Sequence, residues 1–199
     1  MSTLRKYKIQ IALLDLFDLV SFLIFVMGVV LFIRFFIFNP FTVVGQSMEP
    51  KFHQGDFIIV DKITPRLGKL QRGDIIVFVP ENRDVPFIKR IIWLPGEEIK
   101  IRDNNVIICS GTWAAQECST LEEFYLPETT ITSTSQCKID DFTVDADGYF
   151  VMGDNRSAST DSRCCFWLWC FEQSNYLVHP ADIIGKVAVK VYPKLEGHW

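Results

Sequence analysis

Several shortages in this chain each remove a class of function. Basic charge is not in excess: 20 Lys and Arg stand against 24 Asp and Glu, for a formal net charge of −4. A protein that grips nucleic acid by its phosphates needs a basic face, so that partner is excluded. No paired C-x-x-C occurs among the six cysteines, which leaves zinc as the competing reading for them and disulfides as the preferred one. There is no repeat of solenoid type, and 199 residues hold one compact domain plus an anchor rather than two full domains.

A long apolar run is present. From Leu19 to Ile37 the chain reads LVSFLIFVMGVVLFIRFFI, with Arg34 its single charge. As a helix this spans about 28 Å, close to the ~30 Å hydrocarbon core of a bilayer, and Arg34 can reach the interface along its aliphatic stem. The run is apolar all round, which does not suit a surface helix. No A-x-A-like site follows it, as it would in a cleaved signal peptide; Asn39-Pro40-Phe41 does. Arg5, Lys6 and Lys8 precede it, and Asp15 and Asp18 sit near its inner end. Basic residues before a span keep the N-terminus in the cytoplasm. The expected organisation is therefore a cytoplasmic N-terminus and inner interface over 1–18, a transmembrane helix over 19–38 ended by Pro40, and an extracytoplasmic domain over 39–199.

All six cysteines lie beyond the run: Cys109, Cys118, Cys137, Cys164, Cys165 and Cys170. An even count on one side of a membrane suits disulfides in an oxidising compartment, and six cysteines allow 15 pairings. The domain reads as many short strands. Gly55-Asp56 opens 57–61, and Gly73-Asp74 opens 75–79 before Pro80. Phe87–Leu94 closes at Pro95-Gly96, and Asp103-Asn104-Asn105 turns one strand into the next. A strand follows at 149–152, and 183–192 reads as a further strand pair. The fold class is thus mostly β: a barrel-like antiparallel domain on one N-terminal helix. Residues 103–147, rich in Ser, Thr, Glu and Cys toward their middle, read as an inserted subdomain.

Three segments carry chemistry. Lys89 lies in Phe87–Leu94, where strand alternation places it with Phe87, Ile91 and Trp93. A lysine on an apolar face loses hydration, which disfavours its charged form and frees the amine to accept a proton. The plainer alternative is a lysine whose stem crosses the core to water. Ser47 lies just past the apolar run in Val44-Gly45-Gln46-Ser47-Met48-Glu49-Pro50, where Gly45 permits close backbone approach; a loop serine can also be simply a turn residue. The third segment, Gly153 to Arg163, alternates Asp154, Arg156, Asp161 and Arg163 with small polar residues. It could hold a lysine in place, or be a polar surface loop.

These blocks, with Arg72-Gly73-Asp74-Ile75-Ile76-Val77-Phe78, stand in the order found in bacterial type I signal peptidase (leader peptidase), which the chain resembles over roughly residues 20–192. The resemblance implies a membrane-anchored serine endopeptidase that removes signal peptides from exported pre-proteins, cutting after small residues at −1 and −3. It implies Ser47 as nucleophile, Lys89 as general base and Ser159 as the group that orients the amine. Asp154, Arg156, Asp161 and Arg163 would support them, with the Ser47 backbone N–H as an oxyanion donor and Gly45 and Met48 beside the substrate. It implies no metal and no organic cofactor, and as partners the pre-proteins, the lipid bilayer and the protein translocation machinery. It also implies a single-pass protein of the cell membrane with its catalytic domain outside. Gly45 stands where some members carry a second hydroxyl oxyanion donor, Ala158 replaces an asparagine, and Trp93 replaces a small residue. The stretch 164–171, CCFWLWCF, departs from the family; it reads as a dip into the outer headgroup layer, or as a core strand or disulfide-tied loop. A Ser-Lys autoprotease joined to a DNA-binding domain is disfavoured by the apolar run. A catalytically silent membrane module and a peptidase devoted to one substrate stay open.

Overall fold

The computed structural model describes residues 2–81, 83–110, 117–133, 141–143, 148–166 and 176–192. The chain divides into two compact units, Met1–Asn39 and Pro40–Trp199.

The first unit is α1, Ser2–Phe36. Its apolar part, Leu13–Phe36, is long and apolar enough to cross a membrane, and none of it is buried. Helical residues extend well before Leu19, because Leu4 to Leu16 carries no proline or glycine to interrupt the ladder. The helix stops at Phe36 rather than at Pro40. Pro40 sits inside strand β1, Phe38–Thr42, at the edge of a sheet. An edge strand tolerates the missing N–H.

The second unit is built from antiparallel sheets. β2 is Phe57–Asp61, β3 Ile75–Phe78, β4 Phe87–Trp93, β5 Glu98–Arg102, β6 Asn105–Ser110, β7 Glu117–Thr120, β8 Asp141–Thr143, β9 Phe150–Met152 and β10 Ile183–Tyr192. Six strands run in the order β1-β2-β10-β3-β4-β9, and four in the order β7-β6-β5-β8. Among the described residues these are two open sheets, and no pairing closes a barrel. The expected strand pair over 183–192 is one long strand. Its first half pairs with β3 and its second half with β2. Gly185 allows this crossing: a Cβ there would come within 2.5 Å of the Asp61 carbonyl oxygen. Asp103 and Asn104 turn β5 into β6 with φ of 49° and 66°, the two left-handed residues of a tight hairpin turn.

The sheets share a core. Ile92, Trp93, Phe150 and Met152 of the larger sheet pack with Ile99, Ile101, Val106 and Ile108 of the smaller one. Each such side chain contributes about 1.5–3 kcal/mol by leaving water. Trp93, with no exposed surface, fills space at this junction, so Trp93→Ala would cost about 3–5 kcal/mol. β4 lies between β3 and β9 and is buried from Ile88 to Trp93. A lysine in that strand has no route to bulk water through either neighbour.

The inserted region is partly described. Cys109 and Cys118 form a disulfide across β6 and β7, where they are paired residues. Cys164 and Cys165 are also disulfide-bonded; Cys137 and Cys170 lie outside the described residues. Of the aromatic segment, Phe166 is buried against Phe78 and Phe87, a core role. Trp167 and Trp169 lie outside the described residues.

Candidate active site

Lys89 and Ser47 meet. The Lys89 amine donates to Ser47 Oγ at 2.7 Å and to the Ile88 carbonyl at 3.0 Å. Lys89 is only 3% exposed. Burial lowers its pKa from 10.5 to about 8; Asp161 raises it, Arg163 lowers it and Asp154 raises it, each by less than burial does. When the amine is neutral, the same 2.7 Å contact lets the Ser47 hydroxyl donate to Nζ. The pair can therefore hand a proton from oxygen to nitrogen without rearrangement.

The segment from Gly153 to Arg163 holds this geometry. The Asn155 N–H donates to the Ser47 carbonyl at 3.0 Å. Gly153 packs so tightly that a Cβ there would lie 2.3 Å from Ser159 Oγ and 2.4 Å from the Ser47 carbonyl oxygen. The Gly153 N–H donates to Asp161 Oδ2 at 3.0 Å, and Val151 N–H donates to Ser162 Oγ at 2.9 Å. These two bonds fold the loop back onto the end of β9.

Each acid here has its own arginine. Asp161 accepts from Arg163 Nε and Nη2, both at 2.9 Å. Burial alone would push the Asp161 carboxyl up, but Arg163, the Gly153 N–H and the nearby Ser159 hydroxyl outweigh it and hold the carboxyl below the usual range. Asp154 pairs with Arg90, which donates through Nε at 2.8 Å and Nη2 at 2.6 Å. Arg90 also donates to the Gly73 carbonyl at 2.8 Å and stacks on the Tyr125 ring at 3.9 Å. Arg156 pairs with Glu123, donates to Thr132 Oγ1, and caps the Gly153 carbonyl at 3.1 Å. Arg163 reaches the Arg156 carbonyl at 2.8 Å and the Ser133 carbonyl at 3.0 Å. The expected four-residue network is thus three ion pairs, joined by the bonds from Arg163 to the Arg156 carbonyl, from Arg156 to the Gly153 carbonyl and from the Gly153 N–H to Asp161. Arg90, Glu123 and Thr132 were not singled out from sequence. Arg90 follows Lys89 directly and could have been suspected, whereas Glu123 and Thr132 carried no signal in the inserted region.

Two other expectations differ. Ser159 Oγ is buried with no partner at full hydrogen-bond geometry; it does not touch the Lys89 amine, whose second partner is the Ile88 carbonyl. Met48 is 1% exposed and packs in the core with Val43, Phe52 and Ile58. A long apolar side chain two positions before the proline is drawn inward, and Met48 is not among the residues that line the cleft. Gly45, with φ +93° and open space around it, does face a cleft. Among the described residues the Ser47 N–H has no hydrogen-bond acceptor. No group of metal-ligating side chains occurs among the described residues.

The cleft has a volume of about 650 Å³. Ser47 and Lys89 line it, with an apolar wall that includes Val43, Ile58, Val77 and Ile88 and with Ala158 and Thr160 opposite.

The sequence profile of the signal peptidases, peptidase family S26, matches residues 16–192. This chain belongs to the signal peptidase family. It is 34% identical over 154 residues to signal peptidase I of Bacillus licheniformis, covering 75% of this chain and 78% of that one. It is 33% identical over 180 residues to signal peptidase I U of Bacillus subtilis (strain 168), covering 86% and 84%. A crystal structure of a signal peptidase I from Enterococcus faecalis V583 is 28% identical, with coverage of 59% of this chain and 96% of that one and a TM-score of 0.42. The family and the relatives make this chain a serine peptidase, and the apolar α1 is its candidate membrane helix.

Proposed function

We propose that this signal peptidase family member removes signal peptides from exported pre-proteins through a Ser47–Lys89 dyad. The observation that carries the reading is the 2.7 Å contact between the Ser47 hydroxyl and a lysine amine that burial brings to a pKa of about 8. Ser47 Oγ attacks the carbonyl carbon of the scissile bond while its proton passes to neutral Lys89 Nζ. The carbonyl oxygen gains the negative charge, and the Ser47 N–H, which has no acceptor among the described residues, donates to it. The C–N bond then breaks, Lys89 returns the proton to the leaving amine, and the signal peptide is left as an ester on Ser47. Lys89 next takes a proton from water, the hydroxide attacks the ester, and Ser47 recovers its proton as it leaves.

Cutting after small residues at −1 and −3 is supported by the apolar wall of the cleft and by Gly45 on its rim. The polar block from Asp154 to Arg163 supports the dyad by fixing the backbone against which Ser47 rests. Ser159 acts on the amine only if its hydroxyl turns toward it when substrate is bound. The basic residues before α1 favour a cytoplasmic N-terminus and a catalytic unit outside. That side of the membrane presents translocated pre-proteins, and it suits the disulfides.

The test is cleavage of a pre-protein bearing Ala-X-Ala before its cleavage point, with wild type, Ser47→Ala and Lys89→Ala compared in detergent. Cleavage at that bond, lost in both variants, supports the reading. Cleavage that survives Lys89→Ala assigns the base elsewhere. A folded wild type that leaves the bond intact restricts the enzyme to a dedicated substrate.

A further inference from the structure

A second cleft, of about 460 Å³, lies on the other side of the nucleophile segment. Glu49, Pro50, Asn155 and Ser157 form one side of it, and Pro127 to Ile131 contribute the other. It adjoins the catalytic cleft through two short pieces of chain. Ser47 lines the first cleft and Glu49 the second; Ala158 lines the first and Ser157 the second. Between them stands the hydrogen bond from the Asn155 N–H to the Ser47 carbonyl. A peptide bond held at Ser47 has chain on both sides. The apolar cleft with Gly45 and Lys89 accounts for the residues before the bond. The residues after it have to leave past the opposite side of Ser47, and this is the cleft found there.

The outer wall is anchored rather than loose. Glu123 and Thr132 bracket Pro127–Ile131, and both bind the Arg156 guanidinium. Leu121 and Tyr125 pack on the core, and Tyr125 carries Arg90 over its ring. The same contacts settle the charge of the cleft. Arg156 is spent on Glu123 and Asp154 on Arg90. Glu49, half-buried, has no ion-pair partner among the described residues, and exposed Glu128 sits between two lining positions. Among the described residues the cleft therefore carries unopposed negative charge and no unopposed cation.

We infer that this second cleft, walled by the anchored 121–133 segment, receives the first residues of the mature chain and selects against acidic side chains there. The inference rests on the assignment of Ser47 as nucleophile. An extended chain advances about 3.3–3.6 Å per residue, so the second residue after the bond lies about 7 Å beyond Ser47, opposite Glu49 two positions along. A carboxylate at that position faces the Glu49 carboxylate, and repulsion between two partly solvated like charges lowers binding about fivefold.

The test uses the full chain in detergent and three peptides. They share Ala-X-Ala before the bond and carry Ala, Lys or Glu at the second position after it. Relative to the Ala peptide, wild type is expected to cut the Lys peptide up to about fivefold faster and the Glu peptide about fivefold more slowly. Glu49→Gln is expected to narrow that gap to less than about twofold, and Thr130→Lys to reverse it, with cleavage of the Ala peptide as the internal check on folding. A wild type that cuts all three alike, or a bias against Glu that survives both substitutions, overturns the inference. Ser47→Ala is run on the same peptides: loss of all cleavage keeps the nucleophile assignment while the cleft is judged separately, and cleavage that survives removes the assignment on which the cleft depends.

Discussion

The dyad makes a quantitative demand on pH. A lysine at its ordinary pKa of 10.5 has about one neutral amine in three thousand at pH 7, whereas at about 8 it has about one in ten. Burial of Lys89 therefore supplies some 300-fold more active base at neutral pH, worth about 3 kcal/mol at 1.4 kcal/mol per decade. The group acts in its deprotonated form, so activity rises with pH. The logarithm of kcat/KM, measured from pH 5 to 10 on an Ala-X-Ala peptide, is expected to climb with unit slope and level off near pH 8. Asp161→Asn removes the carboxylate that most raises the Lys89 pKa and leaves Arg163 without its counter-charge. Both effects favour the neutral amine, so the acid limb should move to lower pH even as stability falls. A profile flat from pH 6 to 9, a limb near the ordinary lysine value, or a limb that rises in Asp161→Asn would refute the claim that burial tunes Lys89 as the base.

Three further outcomes are expected. Gly153→Ala places a Cβ 2.4 Å from the Ser47 carbonyl oxygen, so kcat should drop by at least about tenfold as Ser47 shifts; a normal kcat with an unchanged melting temperature would show that the turn yields. Arg90→Leu leaves Asp154 buried without its cation and should cost about 3–5 kcal/mol in chemical denaturation, much of it recovered in the Arg90→Leu, Asp154→Leu double variant; additive losses would mean that the two residues act separately. The Cys109–Cys118 bridge, with a sequence separation of 9, should contribute about 2–3 kcal/mol, read as a lower melting temperature for Cys109→Ser, Cys118→Ser.

What could be read without coordinates was local chemistry. The turn at Asp103-Asn104 and the strands opened by Gly55-Asp56 and Gly73-Asp74 follow from propensities within a few residues and appear where expected, whereas the apolar helix is present but runs from Ser2 to Phe36 instead of over 19–38. The closeness of Ser47 and Lys89 came from the order of blocks shared with a family, since no local rule joins positions 42 apart. The misreadings are non-local. Closure is what strand patterns do not encode: among the described residues the antiparallel strands form two sheets with no closing pair. The burial of Met48 could not be read because it depends on Phe52 and Ile58 packing over it. Glu123 went unnoticed because its importance comes from Arg156, 33 residues later.

The pairing of charges explains how a lysine can be the base at all. Asp161 and Asp154 both raise the Lys89 pKa, and either one, free to bind the ammonium, would restore it as an ordinary buried ion pair with no lone pair to offer. Neither is free. Arg163 holds both oxygens of Asp161, and Arg90 holds both oxygens of Asp154. Arg156, which could otherwise compete for Asp161, is held by Glu123 from the inserted segment. The amine is left with a hydroxyl and a carbonyl, neutral groups that orient it without stabilising its charge strongly. The three arginines thus protect Lys89 from its own acidic neighbours. On this argument, replacing Arg163 with methionine would do more than destabilise the loop: it would release the Asp161 carboxylate, raise the Lys89 pKa and move the acid limb of the pH profile upward, opposite to Asp161→Asn. Acid limbs that move the same way in both variants would show that the arginines act only as scaffolding.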